Sequence, residues 1–99
     1  MIIFIAALKE EIQNMEFFYL SGVGKINAAF KSLDLIHRFN PTQIINYGTA
    51  GSINKKCQGL IECTKFYQRD MDVRGLMNFN LGETPFDDVN EIITDNYGY

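Results

Sequence analysis

Ninety-nine residues, 46% of them hydrophobic and 21% charged, carry enough apolar surface to close one soluble globular domain over residues 1–99, which excludes a disordered chain. The net charge of −3 comes with basic residues scattered singly or in pairs, and this excludes the clustered basic face of a nucleic-acid binder. No apolar run approaches the roughly 20 residues of a membrane span, and the apolar start at Met1-Ile2-Ile3 has no basic leader, so a cytoplasmic protein without membrane contact is expected.

At this size a domain buries only about 60–65% of the surface its unfolded chain exposes, so self-association is expected to add to stability. Cys57 and Cys63 have five residues between them and no second Cys or His cluster nearby, a spacing that fits neither a zinc site nor a disulfide framework. They read as reduced thiols, with Cys63 in the core, and no metal is expected.

In chain order, Ile2-Ile3-Phe4-Ile5-Ala6-Ala7 is a short β-branched apolar run that suits a central strand covered on both faces. Residues 9–14 then form a short helix, and Phe17-Phe18-Tyr19-Leu20 a second strand ending at Ser21-Gly22. From residue 25 to 39 the apolar positions Ile26, Ala29, Phe30, Leu33, Ile36 and Phe39 recur every three or four residues, as one buried helix face requires. Asn40-Pro41 ends that helix, because the proline ring pushes its predecessor out of helical geometry. His37 and Arg38, in its last turn, suit the negative end of the helix and not catalysis. Ile44-Ile45-Asn46-Tyr47 is a third strand and residues 60–67 a fourth. Thr84-Pro85-Phe86-Asp87 carries the signs of a helix start, with Phe86, Val89, Ile92 and Ile93 as its apolar face. The order points to an α/β fold, a three-layer sandwich around a mostly parallel or mixed sheet.

Ligands of open α/β sheets bind beyond the carboxyl ends of the strands, and three segments lie there. In Ala6-Ala7-Leu8-Lys9-Glu10-Glu11 a glutamate can position a water, but acids there also simply complement a helix N-terminus. Ser21-Gly22-Val23-Gly24-Lys25 opens the long helix without completing a phosphate loop or, with Asn27, a dinucleotide fingerprint; a tight turn accounts for it better. Asn46-Tyr47-Gly48-Thr49-Ala50-Gly51-Ser52 offers small residues and two hydroxyls, which suits either a pocket floor for a flat ring or a plain turn.

In order along the chain, these segments and Arg69-Asp70-Met71-Asp72-Val73 resemble the nucleoside phosphorylase and nucleosidase family, most closely its 5'-methylthioadenosine/S-adenosylhomocysteine nucleosidase branch. The resemblance implies cofactor-free hydrolysis of the bond between adenine and a thio-substituted ribose. It implies that Glu11 holds the attacking water, that Ala7 and Leu8 lie beside the ligand, and that Thr49, Ala50 and Gly51 line the purine and ribose. Residues 72–79 resemble the segment that caps the neighbour's thioalkyl pocket in the family's two-fold dimers, with Asp72, Leu76, Met77 and Phe79 as contacts.

Departures accompany the matches. The family's Met-Glu pair that grips the ribose and its aspartate that protonates the purine belong to a second half not found within residues 1–99. Asp87, Asp88 and Asp95, in a peripheral helix or tail, are not substitutes for that aspartate. The spacing from Glu11 to Ser21 is shorter than in the family, and Lys9 replaces an acid. Two expectations follow: a purine nucleosidase chain that works only when the second half is supplied, as by a separate polypeptide, or a non-catalytic remnant that binds purine or dimerises.

Overall fold

The computed structural model describes residues 1–76 and 78–94. The chain divides into two compact units, Met1–Gly51 and Ser52–Tyr99. Met77 and Asp95, both named above, lie outside the described residues.

The first unit is an α/β layer structure. β1 (Ile2–Ala6) leads through a one-turn helix α1 (Lys9–Ile12) to β2 (Phe18–Leu20), and the long helix α2 (Lys25–Phe39) crosses back to β3 (Gln43–Asn46). The three strands make a parallel sheet in the order β2-β1-β3. Phe4 stands opposite Phe18 on one side and Ile45 on the other. The apolar run at the start of the chain is therefore the central strand, as its lack of polar alternation requires.

Strand alternation sends Ile3 and Ile5 to one face, where they bury with Leu35 of α2 and are joined by Tyr19, Phe39 and Ile44. The other face is aromatic. Phe4, Phe17, Phe18 and Tyr47 form a chain of rings whose neighbouring centroids lie 5.0–5.6 Å apart, in the tilted and edge-on geometries that aromatic quadrupoles favour.

α2 has the expected bounds but turns the other way. Leu35, fully buried, faces the sheet with Phe39 packed beside it, while the rest of the stripe expected to be buried points outward: Ile26 is 86% and Phe30 74% exposed, and Leu33 and Ile36 are exposed too. Leu35 buries with Ile3 and Ile5, and Phe39 packs against that cluster. The helix closes on Asn40, whose N–H donates to the Ile36 carbonyl at 2.9 Å and whose own backbone is left-handed, so the helix cannot continue. Asparagine tolerates that conformation better than most residues.

The second unit holds an antiparallel pair, β4 (Lys65–Tyr67) and β5 (Glu91–Ile93), in which Phe66 stands opposite Ile92. Two expectations are corrected here. The fourth strand covers only its last three residues, because its partner offers three residues to pair with. The helix expected from Thr84 is a turn followed by β5. Phe86 takes a left-handed φ of 68°, Asp87 N–H bonds back to the Thr84 carbonyl at 3.2 Å, and Thr84 N–H is taken by Asn90 Oδ1 at 3.1 Å. A short helix gains stability only by burying its apolar face, whereas β-branched Ile92 and Ile93 complete a ladder with β4. Asp87 and Asp88 thus lie in and after a turn. Cys63 is exposed and not a core thiol, since the chain before β4 is loop; its carbonyl accepts the Thr94 hydroxyl at 3.3 Å.

Among the described residues, no helix is long and apolar enough to cross a membrane and no metal-binding cluster of His, Cys, Asp or Glu occurs.

Candidate functional site

Parallel strands deliver their carboxyl ends to one edge, and hydrogen bonds tie the three emerging segments together there. Ser21 N–H bonds to the Ala6 carbonyl at 2.9 Å, Gly22 N–H to the Ala7 carbonyl at 3.0 Å, and Tyr47 N–H to the Ile5 carbonyl at 2.9 Å. This edge is where the sheet's own topology leaves backbone groups and loop side chains free to meet a ligand.

Glu11 is the hub of the edge. It is the third residue of α1, and its Oε1 reaches back to accept the N–H of Leu8, the residue before the helix, at 3.1 Å. That is half of a capping box; the reciprocal half is absent because leucine has no side-chain acceptor. Oε2 points across the edge, where it accepts the Thr49 N–H at 2.8 Å and the Thr49 hydroxyl at 3.0 Å. One carboxylate therefore caps its helix and grips the loop after β3.

The electrostatic result follows from those donors. Thr49 N–H and then its hydroxyl, with smaller help from Leu8 and Ala7 N–H, hold the Glu11 carboxyl below the usual glutamate range. Glu11 is ionised at neutral pH. It is a weak proton acceptor and a well-fixed anionic hydrogen-bond acceptor.

Thr49 is thus brought to Glu11, and Ala7 and Leu8 to its backbone cradle. Ala50 and Gly51 continue the exposed loop, and a Cβ added at Gly51 would meet nothing within 4 Å, which leaves that shelf open. Asp72, Leu76 and Phe79 belong to the second unit. Asp72 there forms a two-pronged pair with Arg74, at 2.9 and 2.8 Å, which holds its carboxyl at about 2. Leu76 is 88% exposed, and Phe79 packs edge-on against Phe86, centroids 6.1 Å apart.

Two roles escaped the sequence. Asn27, which spoils a dinucleotide fingerprint, donates Nδ2–H to the Val23 carbonyl at 2.7 Å and lies under Gly22, stapling the glycine turn at positive φ. Arg74 carried no motif at all. Two open hollows, of about 510 Å³ beside α1 and β2 and about 240 Å³ beside β4 and β5, are not lined by any of the candidate residues. The carboxylate sits on an open edge.

A carboxylate and a small-residue shelf meet at the carboxyl edge of a parallel sheet in an α/β protein. The chain belongs to the phosphorylase superfamily, whose family pattern matches residues 11–95. It is 32% identical to a 5'-methylthioadenosine/S-adenosylhomocysteine nucleosidase of Staphylococcus saprophyticus, over 82% of this chain and 44% of that protein. It is 33% identical to nucleosidases of the same name from Bacillus thuringiensis and Bacillus anthracis, over 66% of this chain and 29% of each relative. The staphylococcal alignment runs over 102 positions while covering 82% of these 99 residues, so it opens gaps in this chain. The matches span less than half the length of these relatives. No solved structure matches the chain.

Proposed function

We propose that the edge around Glu11 is the water-directing part of a purine nucleosidase site, acting on the N-glycosidic bond of methylthioadenosine or S-adenosylhomocysteine. The observation that carries this reading is the Glu11 carboxylate held on Thr49 N–H and Oγ, beside the open loop of Ala50 and Gly51. Cleaving a glycosidic bond builds positive charge on the sugar. A fixed anion on that face stabilises the charge and aims a water at the anomeric carbon, and the cationic sugar draws in water without a strong base to deprotonate it first.

Ala7, Leu8, Thr49, Ala50 and Gly51 are assigned to the purine and ribose, and Asp72, Leu76 and Phe79 to a thioalkyl contact made across a homo-oligomer. The outward stripe of α2, Ile26 to Leu33, supports self-association, because exposed apolar patches of this kind mark interaction surfaces. The same stripe favours the second reading, a purine-binding or dimerisation module without turnover. We place the protein in the cytoplasm, which suits its two free cysteines.

Gripping the ribose and protonating the purine require groups beyond those placed here, and such groups act together and not additively. Turnover is expected only where they are supplied, in the same chain or by another. Adenine release from methylthioadenosine, measured with those groups present, should fall by about 10²–10⁴-fold in Glu11→Gln. Unchanged release would remove Glu11 from the chemistry. Turnover by the 99-residue chain alone would sink the need for further groups.

A further inference from the structure

We infer that Gly48 is a positioning residue: its lack of a side chain is what lets the Glu11 carboxylate lie on the loop after β3. The inference rests on the reading of Glu11 as the site's carboxylate and extends it to a residue that touches no substrate.

A Cβ built at position 48 would stand 2.9 Å from Glu11 Oε2, a separation that real Cβ atoms do not tolerate, and its next neighbours, at 3.7 and 3.9 Å, are the other two atoms of the same carboxyl group. No backbone atom is among them. Gly48 is also not one of the glycines with positive φ, which are Gly22, Gly24, Gly59 and Gly82. Backbone conformation therefore does not demand glycine at 48. The carboxylate does.

Gly51, three residues on, makes the contrast, since a Cβ there meets open space and its φ is also ordinary. Two glycines in one loop thus have different causes: the second leaves a shelf open, and the first leaves room for an anion. Alanine at 48 should not disturb the strand or the loop, because the atom in its way is the far end of a flexible side chain. Glu11 Oε2 must instead leave Thr49, giving up the N–H bond of 2.8 Å and the hydroxyl bond of 3.0 Å together. The anion is then no longer aimed, and its two strongest stabilising donors turn to solvent.

The test is NMR titration of the 99-residue protein, following the Glu11 carboxyl carbon and the Thr49 amide proton. In the wild type both should titrate together, below the ordinary glutamate range. In Gly48→Ala the Glu11 midpoint should move up toward that range and the Thr49 amide should stop reporting it, while amide signals of β1, β2 and β3 stay in place. Gly51→Ala should leave both signals as in the wild type. In a Glu11→Ala background, Gly48→Ala should change nothing further at Thr49, since nothing remains to displace.

An unmoved Glu11 midpoint in Gly48→Ala overturns the inference. So does an equal shift in Gly51→Ala, or loss of the folded spectrum in Gly48→Ala. Where turnover is measured, Gly48→Ala should lower kcat and leave KM near its original value. The titration needs no turnover, so normal adenine release from Glu11→Gln would defeat the nucleosidase reading and leave the placement of Gly48 standing.

Discussion

The two units of this chain spend their apolar residues differently. Within Met1–Gly51, the buried side chains Ile3, Ile5, Ala6, Ile12 and Leu35 gather around a parallel sheet. Among the described residues of Ser52–Tyr99 only Gly82 is buried, and the strand residues Ile92 and Ile93 are exposed. Burial is the main favourable term in folding. The first unit therefore has the means to hold side chains in fixed geometry, and the second has a hairpin-like ladder with little beneath it. The candidate chemistry lies where the packing is: Glu11 follows directly on the central strand, and Thr49 on its neighbour.

The strongest way to break this contrast is to cut both units equally. Leu35→Ala removes a fully buried side chain from the contact between helix and sheet and should cost about 2–5 kcal/mol. Ile92→Ala, at a residue 64% exposed, should cost no more than about 0.5 kcal/mol. Urea unfolding of the two variants measures both. Equal losses would mean that the second unit has a core of its own.

A smaller effect concerns acid. Thr49 keeps the Glu11 carboxyl below its ordinary range, so ionised Glu11 favours the folded state. That contribution is complete above the unfolded glutamate value and is lost as pH falls through the lower folded value. Urea midpoints taken on descending pH should show this loss in the wild type and a flatter acid limb in Glu11→Gln. The smallest effect is confined to the second unit. Arg74→Ala should raise the Asp72 carboxyl from about 2 to the ordinary aspartate range, read by carbon NMR, with the first unit's signals unchanged.

Legibility in the sequence followed the same division. The central strand and the bounds of α2 were readable because a β-branched run and a 15-residue periodic segment leave few alternatives. The face that α2 buries was only partly readable, since Phe39 belongs to the periodic stripe while Leu35, the fully buried residue, stands outside it. Thr84-Pro85 imitated a helix start, but a start signal is local and the pairing of Ile92 with Phe66 is not. At the site, the three segments could be named from their place after strands. That Glu11 serves both as a helix cap and as a hand on Thr49 was not legible, because each role alone looks the same in sequence. The Gly48 contact joins residues 37 positions apart and leaves no motif.

The central claim is that the first unit carries the ligand edge, and amide chemical-shift mapping with adenine tests it most directly. The account predicts shifts at Ala7, Leu8, Thr49, Ala50 and Gly51 that grow with adenine concentration, with β4 and β5 unmoved. Saturating shifts confined to the second unit, or none at Thr49, Ala50 and Gly51, would contradict it.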